Sequence, residues 1–213
     1  MPTGGIDWKF LRKFRQLILS QTKKGRRFFL IVGGGATTRH YISSVAKVMP
    51  VTDEDKDWLG IHATRLNAHL LRTIFRDVAH PEIIKNPTFR IASDKKVIIA
   101  GGWKPGWSTD YVATLIAQEY GVKNIINLSN IDYVCDKDPK KHKGARKFKE
   151  ISWRNFRKLV GHKWYPGMNA PFDPVASQKA ESLGLSVAIM HGKNFSNLKK
   201  YLESGKFRGT LIK

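Results

Sequence analysis

Cysteine is almost absent: Cys135 is the only one in 213 residues, so no internal disulfide can form and nothing asks for an oxidising compartment. Long apolar runs are absent too. Those present, such as Phe28 to Val32 and Val97 to Ala100, stop far short of the roughly 20 residues a membrane-spanning helix needs. The N-terminal segment is basic and amphipathic and lacks the apolar run and cleavage site of a secretion signal, so a cytoplasmic address is expected. Acidic residues are scarce. Only 17 Asp and Glu face 38 Lys and Arg, a net charge of +21, which excludes a halophile-type surface and directs attention to anionic partners, phosphates first. There is no Walker A pattern, no dinucleotide fingerprint, and no repeat, low-complexity tract or long linker. A single domain spanning residues 1–213 is expected, with 41% hydrophobic residues to supply its core.

The basic residues thicken from Lys140 to Lys163, where Phe148, Trp153, Phe156 and the adjoining Trp164 accompany the charges. That pattern fits nucleic acid, but it fits better the solvated face of a helix whose apolar side is buried.

Apolar periodicity organises the rest. Trp8 to Lys23 puts Phe10, Leu11, Phe14, Leu17 and Ile18 on one helical face. Phe28 to Val32 reads as a short buried strand ending in Gly33-Gly34-Gly35, and Ala36 to Lys47 as the helix that follows. The same grammar returns at Val97 to Ala100, with Gly101-Gly102, a Pro- and Gly-rich loop and a helix from Thr109 to Tyr120. Asn124 to Leu128, Ser186 to Met190 and Thr210 to Ile212 are further strands. A helix runs between Asp173 and Leu183, capped by Asp173 and started by Pro174. This alternation predicts an α/β fold with a mainly parallel sheet covered on both faces, whose ligands collect at the strand carboxyl ends.

Three groups at those ends can carry chemistry. Gly33-Gly34-Gly35 before a helix, with Arg39 a turn in, suits an anion or merely a tight turn. Gly101 to Asp110 joins a rigid loop to a cation, hydroxyls and an acid. Ser108, Thr109 and Lys104 suit phosphate oxygens, while the plain alternative makes Ser108 or Thr109 a helix cap and Asp110 its dipole partner. The run from Asn127 to Pro139 is polar and acidic but lacks the EF-hand spacing, and its Asn and Asp residues suit turns.

In combination and order these segments resemble the archaeal-type uridylate kinases of the amino-acid kinase superfamily. The resemblance runs from Gly-Gly-Gly with Arg39, through Asp57-Trp58-Leu59-Gly60-Ile61 and Thr64-Arg65-Leu66-Asn67-Ala68, to the Pro-Gly-x-Ser-Thr-Asp loop. It continues through Asn130-Ile131-Asp132, Asp136-Lys137-Asp138-Pro139 and Asp173-Pro174 to Gly209-Thr210-Leu211-Ile212. It implies a three-layer α/β/α sandwich and transfer of the ATP γ-phosphoryl group to UMP in pyrimidine nucleotide biosynthesis, with Mg²⁺ carried by ATP. It also implies a homo-oligomer, a hexamer in the family. Position by position it assigns Gly34, Asp57, Trp103, Lys104, Pro105, Gly106, Trp107, Ser108 and Thr109 to UMP. Gly35, Arg39, Ser129, Cys135 and Asp138 fall to ATP, and Asp110 is the candidate organising catalytic residue. Ser129, Tyr133 and Cys135 stand where the family commonly has Thr, Gly and Tyr; Cys135 gives up an aromatic surface for adenine.

The resemblance also implies an N-terminal strand and Gly-Gly-Ser loop, whereas the chain opens Met1-Pro2-Thr3-Gly4-Gly5 and enters its first helix. Two readings follow: a start at an internal methionine, which is favoured, or a degenerate homologue. On the first, the chain as given is expected to be weakly active or inactive and one extended upstream by a Gly-Gly-Ser strand active. The competing functions are a nucleotide- or RNA-binding non-catalytic homologue and a sibling kinase acting on an amino acid or other carboxylate.

Overall fold

The computed structural model describes residues 5–213 apart from 140 and 169. The opening Met1–Gly4 and Lys140, which begins the basic stretch, lie outside the described residues. The chain folds as two compact units, one running to Tyr120 and including Tyr165–Met168, the other Gly121–Trp164 and the chain after Met168.

The first unit contains α1 (Trp8–Lys23), β1 (Phe28–Ile31), α2 (Gly35–Val45), α3 (Asp53–Ile74), β2 (Val97–Ala100) and α4 (Thr109–Glu119). Helix α1 forms as its periodicity requires. Asp7 caps it by accepting from Phe10 N at 3.0 Å, and Phe14, Leu17 and Ile18 are buried, Phe14 meeting Phe75 edge to face at 6.1 Å. Strands β1 and β2 pair in parallel, Phe28 opposite Val97 through Ile31 opposite Ala100. Bridges from Ala79 and Ile84 also flank β2. All four β2 side chains are buried, as a parallel strand covered on both faces demands. Helix α3 was not legible in the apolar pattern. Thr52 caps it, accepting from Asp55 N at 3.1 Å, and Asp53, Glu54 and Asp55 fill its first turn, where carboxylates oppose the helix dipole.

The second unit contains β3 (Asn124–Ser129), β4 (Val134–Cys135), β5 (Lys147–Phe148), β6 (Glu150–Ile151), α5 (Trp153–Val160), α6 (Pro174–Ser182), β7 (Ser186–His191), α7 (Phe195–Ser204) and β8 (Thr210–Ile212). Its four-stranded sheet has the order β3-β7-β8-β6. The β3–β7 and β6–β8 pairs are parallel and β7–β8 antiparallel, while β4 and β5 form a separate antiparallel pair. Asp173 caps α6 as expected, accepting from Ala176 N at 2.9 Å with Pro174 in the first turn. The basic stretch resolves into β5, β6 and α5, with the apolar side of α5 turned inward: Trp153 and Phe156 are buried, and Trp153 Nε1 donates to Leu185 O at 2.8 Å. The α/β class with parallel-rich sheets is the one the alternation predicted.

Candidate active site

The chain leaves β1 with Val32 N still donating to Ala100 O at 3.0 Å and then turns through three glycines. Two of them are required for different reasons. A Cβ on Gly34 would sit 1.8 Å from Thr38 Oγ1 and 2.9 Å from Thr38 Cβ, so a side chain there would force Thr38 to move. Gly35 has open space but φ of +60°, a conformation that costs other residues about 1–2 kcal/mol. Gly34 is the N-cap of α2 and makes no side-chain capping bond, which leaves first-turn N–H groups for another acceptor. Arg39 lies exposed one turn into α2.

The second loop, after β2, is bound to α3. Gly102 N donates to Thr64 Oγ1 at 2.7 Å, and Arg65 donates to Gly102 O from Nε at 3.2 Å and to Trp103 O from Nη2 at 2.9 Å. A Cβ on Gly101 would meet Arg65 Cα at 3.2 Å, and one on Gly102 would meet Ile61 Cα at 3.2 Å. These two glycines therefore admit the helix. Farther along, Gly106, with φ of +86°, donates its N–H to Asp57 Oδ2 at 2.7 Å. Burial raises the Asp57 carboxyl above its ordinary pKa. The Gly106 hydrogen bond pulls the other way, and the nearby Asp53 charge adds to the rise.

Around Pro105 the loop carries a run of stacked rings: Trp103 and Trp107 lie 6.2 Å apart and Trp107 and Tyr111 4.1 Å apart, with Lys104 Nζ 4.3 Å above Trp103. Ser108 is the N-cap of α4, its Oγ accepting from Tyr111 N at 3.1 Å, with Asp110 in the first turn. The capping alternative is thus realised for Ser108, whose hydroxyl proton is still available to donate.

The two loops meet on α3 and at one end of the β1–β2 pair. Asn67 Nδ2 donates to Gly33 O at 3.0 Å and Gly34 O at 3.2 Å. The position a Cβ would take on Gly33 is 3.8 Å from Thr109 Oγ1. Thr64, Arg65 and Asn67 are the residues that the sequence reading passed over. Their segment stood out as a family marker, but nothing in its composition announced that three polar side chains would hold two loops.

In the second unit, Ser129 ends β3, its Oγ 3.4 Å from Asn130 Oδ1, and its carbonyl accepts from Gly192 N at 2.8 Å. Cys135 is half-buried in β4; burial pushes its thiol pKa up, Lys147 draws it down and Asp136 raises it. Asp136 closes the β4–β5 hairpin, accepting from Arg146 N at 2.8 Å. Asp132 pairs with Arg208 at 3.2 Å. Asp138 turns the chain, its carbonyl accepting from Lys141 N and His142 N. The acidic run thus makes turns and pairs, and no group of three or more His, Cys, Asp or Glu able to hold a metal occurs among the described residues.

The sequence profile of the Amino acid kinase family matches residues 3–191. The chain belongs to the amino acid kinase family. A uridylate kinase of Methanospirillum hungatei is 34% identical over 198 residues, 92% of this chain and 84% of the relative. One of Hyperthermus butylicus is 31% identical over 95% of this chain and 89% of its own. The crystal structure of uridylate kinase from Archaeoglobus fulgidus matches with a TM-score of 0.83 at 28% identity, covering 97% of this chain and 94% of that one.

For this amino acid kinase the first unit supplies a helix N-terminus with open donors beside a loop bearing hydroxyls and a cation. That combination favours a phosphorylated ligand. Among the described residues no helix is long and apolar enough to cross a membrane.

Proposed function

We infer that the protein is a uridylate kinase, a nucleoside monophosphate kinase that moves the γ-phosphoryl group of ATP onto UMP and releases ADP and UDP. The observation that carries this reading is the set of bonds from α3 to both glycine loops, which brings Gly34 and the Trp103–Thr109 loop to one end of a parallel strand pair. Relatives named uridylate kinase at 31–34% identity support it.

We assign UMP to Gly34 and to Trp103, Lys104, Pro105, Gly106, Trp107, Ser108 and Thr109, with Asp57 fixing that loop through Gly106. Within the first unit, ATP, entering as its magnesium complex, is assigned to Gly35 and Arg39; Ser129, Cys135 and Asp138, which the resemblance also gives to ATP, belong to the second unit. In the reaction a UMP phosphate oxygen bonds to the γ-phosphorus as the bond from that phosphorus to the ADP oxygen breaks. The attacking oxygen is already anionic at neutral pH, so no general base is needed, and the protein's work is alignment and charge neutralisation. Arg39 and Lys104 are the neutralising cations, and Asp110 organises the start of α4.

A homo-oligomer belongs to the same reading. Helix α3 leaves Trp58 42% and Leu66 64% exposed, eight residues apart with exposed His62 between them. Its first turn is acidic, and Arg72 and Arg76 stand at its other end. Two copies of α3 laid antiparallel would set each acidic end against a basic one and cover the apolar stripe. Light scattering should find a dimer or a multiple of it, such as a hexamer, that Leu66→Asp breaks. A wild-type monomer would remove the oligomer from the proposal. A cytoplasmic address fits this nucleotide chemistry.

The activity is tested by ADP release with UMP, CMP, AMP and glutamate as rival acceptors. UMP should support turnover best. Preference for CMP, AMP or glutamate over UMP would overturn the assignment.

A further inference from the structure

The glycine loops occupy the carboxyl ends of β1 and β2; the amino ends of the same strands carry a different chemistry. Helix α1 ends there at Lys23, the turn into β1 adds Arg26 and Arg27, and the segment entering β2 adds Lys95 and Lys96. The strand register brings these together: Phe28 N donates to Lys96 O at 2.8 Å, and Arg27 Nη2 donates to Ser93 O at 2.8 Å. Arg90 joins the same rim, its guanidinium 5.5 Å from the Tyr120 ring at the end of α4, and Tyr120 Oη accepts from Ile91 N at 2.7 Å. Beside Arg90, Phe89 is 71% exposed.

Little opposes this charge. Asp94 and Glu119 are the nearby acids in sequence, and Asp77 is engaged by Arg15 at 2.6 Å and Arg76 at 3.9 Å. Lys23, Arg26, Lys95 and Lys96 are exposed and show no ion pair among the described residues. Their clustering does not stabilise the fold, since like charges repel in the compact state. A row of cations with a bare aromatic ring beside it suits a strand of phosphates carrying unpaired bases. A lipid surface asks for a broader apolar face than one ring offers.

We propose that the rim formed by the amino ends of β1 and β2 binds single-stranded nucleic acid, with phosphates on Arg26, Lys95 and Lys96 and a base stacked on Phe89. The surface is distinct from the residues assigned to UMP and ATP, and the inference does not depend on that assignment.

The test is fluorescence anisotropy of the full chain with a labelled oligouridylate of about 20 nucleotides, titrated over a range of salt. The expected Kd lies between about 1 and 100 µM near physiological salt. The triple variant R26E/K95E/K96E should bind at least about tenfold more weakly, with a log–log salt slope shallower by about 2. Phe89→Ala should weaken binding about fivefold or more and leave the slope unchanged. A control with equal charge reversal in the second unit, K199E/K200E/K206E, should retain most of the binding. A thermal melt establishes that each variant is folded; should the triple variant unfold, Phe89→Ala against the control decides. The proposal is overturned if the oligonucleotide does not bind, if the control loses as much as the triple variant, or if Phe89→Ala binds like wild type. Capture of phosphatidylserine vesicles without oligonucleotide binding would likewise overturn it.

Discussion

Replacing Thr64 by valine removes one hydroxyl and almost no volume, at a point where that hydroxyl makes two bonds. Its Oγ1 accepts from Gly102 N at 2.7 Å and donates to Ile61 O at 2.7 Å, and the side chain is buried. The carbonyl of Ile61 loses only a second partner. The N–H of Gly102, itself buried, loses its acceptor where water does not reach, a cost of about 1–3 kcal/mol. For a chain of this size each kcal/mol lowers Tm by about 2–4 °C, so Thr64→Val should melt about 2–12 °C below wild type. The freed amide begins the Trp103–Thr109 loop, so a loop that must be reordered by about 1 kcal/mol on binding raises the UMP KM about fivefold. The ATP KM should move much less. Thr64→Ser keeps the acceptor and gives up a methyl group, which should cost about 1 kcal/mol of stability with no selective loss of UMP affinity. Calorimetry and initial rates on the three proteins decide. A Thr64→Val protein with wild-type Tm and UMP KM, or a serine variant as impaired for UMP as the valine, would refute the account of Gly102.

Gly34→Ala and Gly35→Ala should fail differently. The first places a Cβ 1.8 Å from Thr38 Oγ1 and should cost about 1–3 kcal/mol by overpacking; the second meets no atom and should cost about 1–2 kcal/mol through its positive φ alone. Denaturant melts of Gly34→Ala with and without Thr38→Ala separate the cases, since trimming Thr38 should recover part of the first loss. For Asp57, burial raises the folded-state pKa above its unfolded value, so the folded protein holds this proton more tightly. Its ionisation then costs stability as pH rises through that window, and the wild type should gain on Asp57→Asn as pH falls from the raised pKa toward 3.8. Protonation also weakens the grip on Gly106, so the UMP KM of the wild type should climb over the same descent while that of Asp57→Asn stays flatter. Parallel pH profiles for the two proteins would remove Asp57 from the loop's anchorage.

The elements legible in the sequence were those whose apolar residues keep a period. Phe14, Leu17 and Ile18 mark α1, Val97 to Ala100 give a strand buried on both faces, and Asp173-Pro174 opens α6. Helix α3 escaped for a physical reason. Its buried positions are Ile61, Ala63, Thr64 and Ala68, small or hydroxylated because the helix lies against glycines, and its first turn is all acid. Thr52 with Asp55 three residues on was the available signal. Strands β4, β5 and β6 have two residues each, too few for any alternation to register. At the candidate site, the glycine loops and the Ser108 cap were legible as residue types. The partners of their backbone groups were not, because Thr64 and Asp57 accept from their amides and Arg65 donates to their carbonyls across 37 to 49 residues of chain.

Those long-range bonds change which groups are available to a phosphate. Glycine loops invite the assumption that all their amides point at the ligand, yet Gly101 N donates to Ile84 O, Gly102 N to Thr64 and Gly106 N to Asp57. Three backbone donors of the second loop are therefore committed to holding its shape. The side-chain donors we propose for the ligand on that side are the Ser108 and Thr109 hydroxyls and the Lys104 ammonium. The first loop is the reverse. Asn67 holds it by its carbonyls, and α2 begins without a side-chain cap, so its amides stay open. On this proposal the two sides of the UMP site differ: open helix-start amides on one, and on the other a loop whose glycine amides are committed and whose hydroxyls and ammonium face the ligand. Lys104→Ala or Thr109→Val should weaken UMP binding without disturbing the loop, whereas binding on the first side answers only to changes that move the main chain.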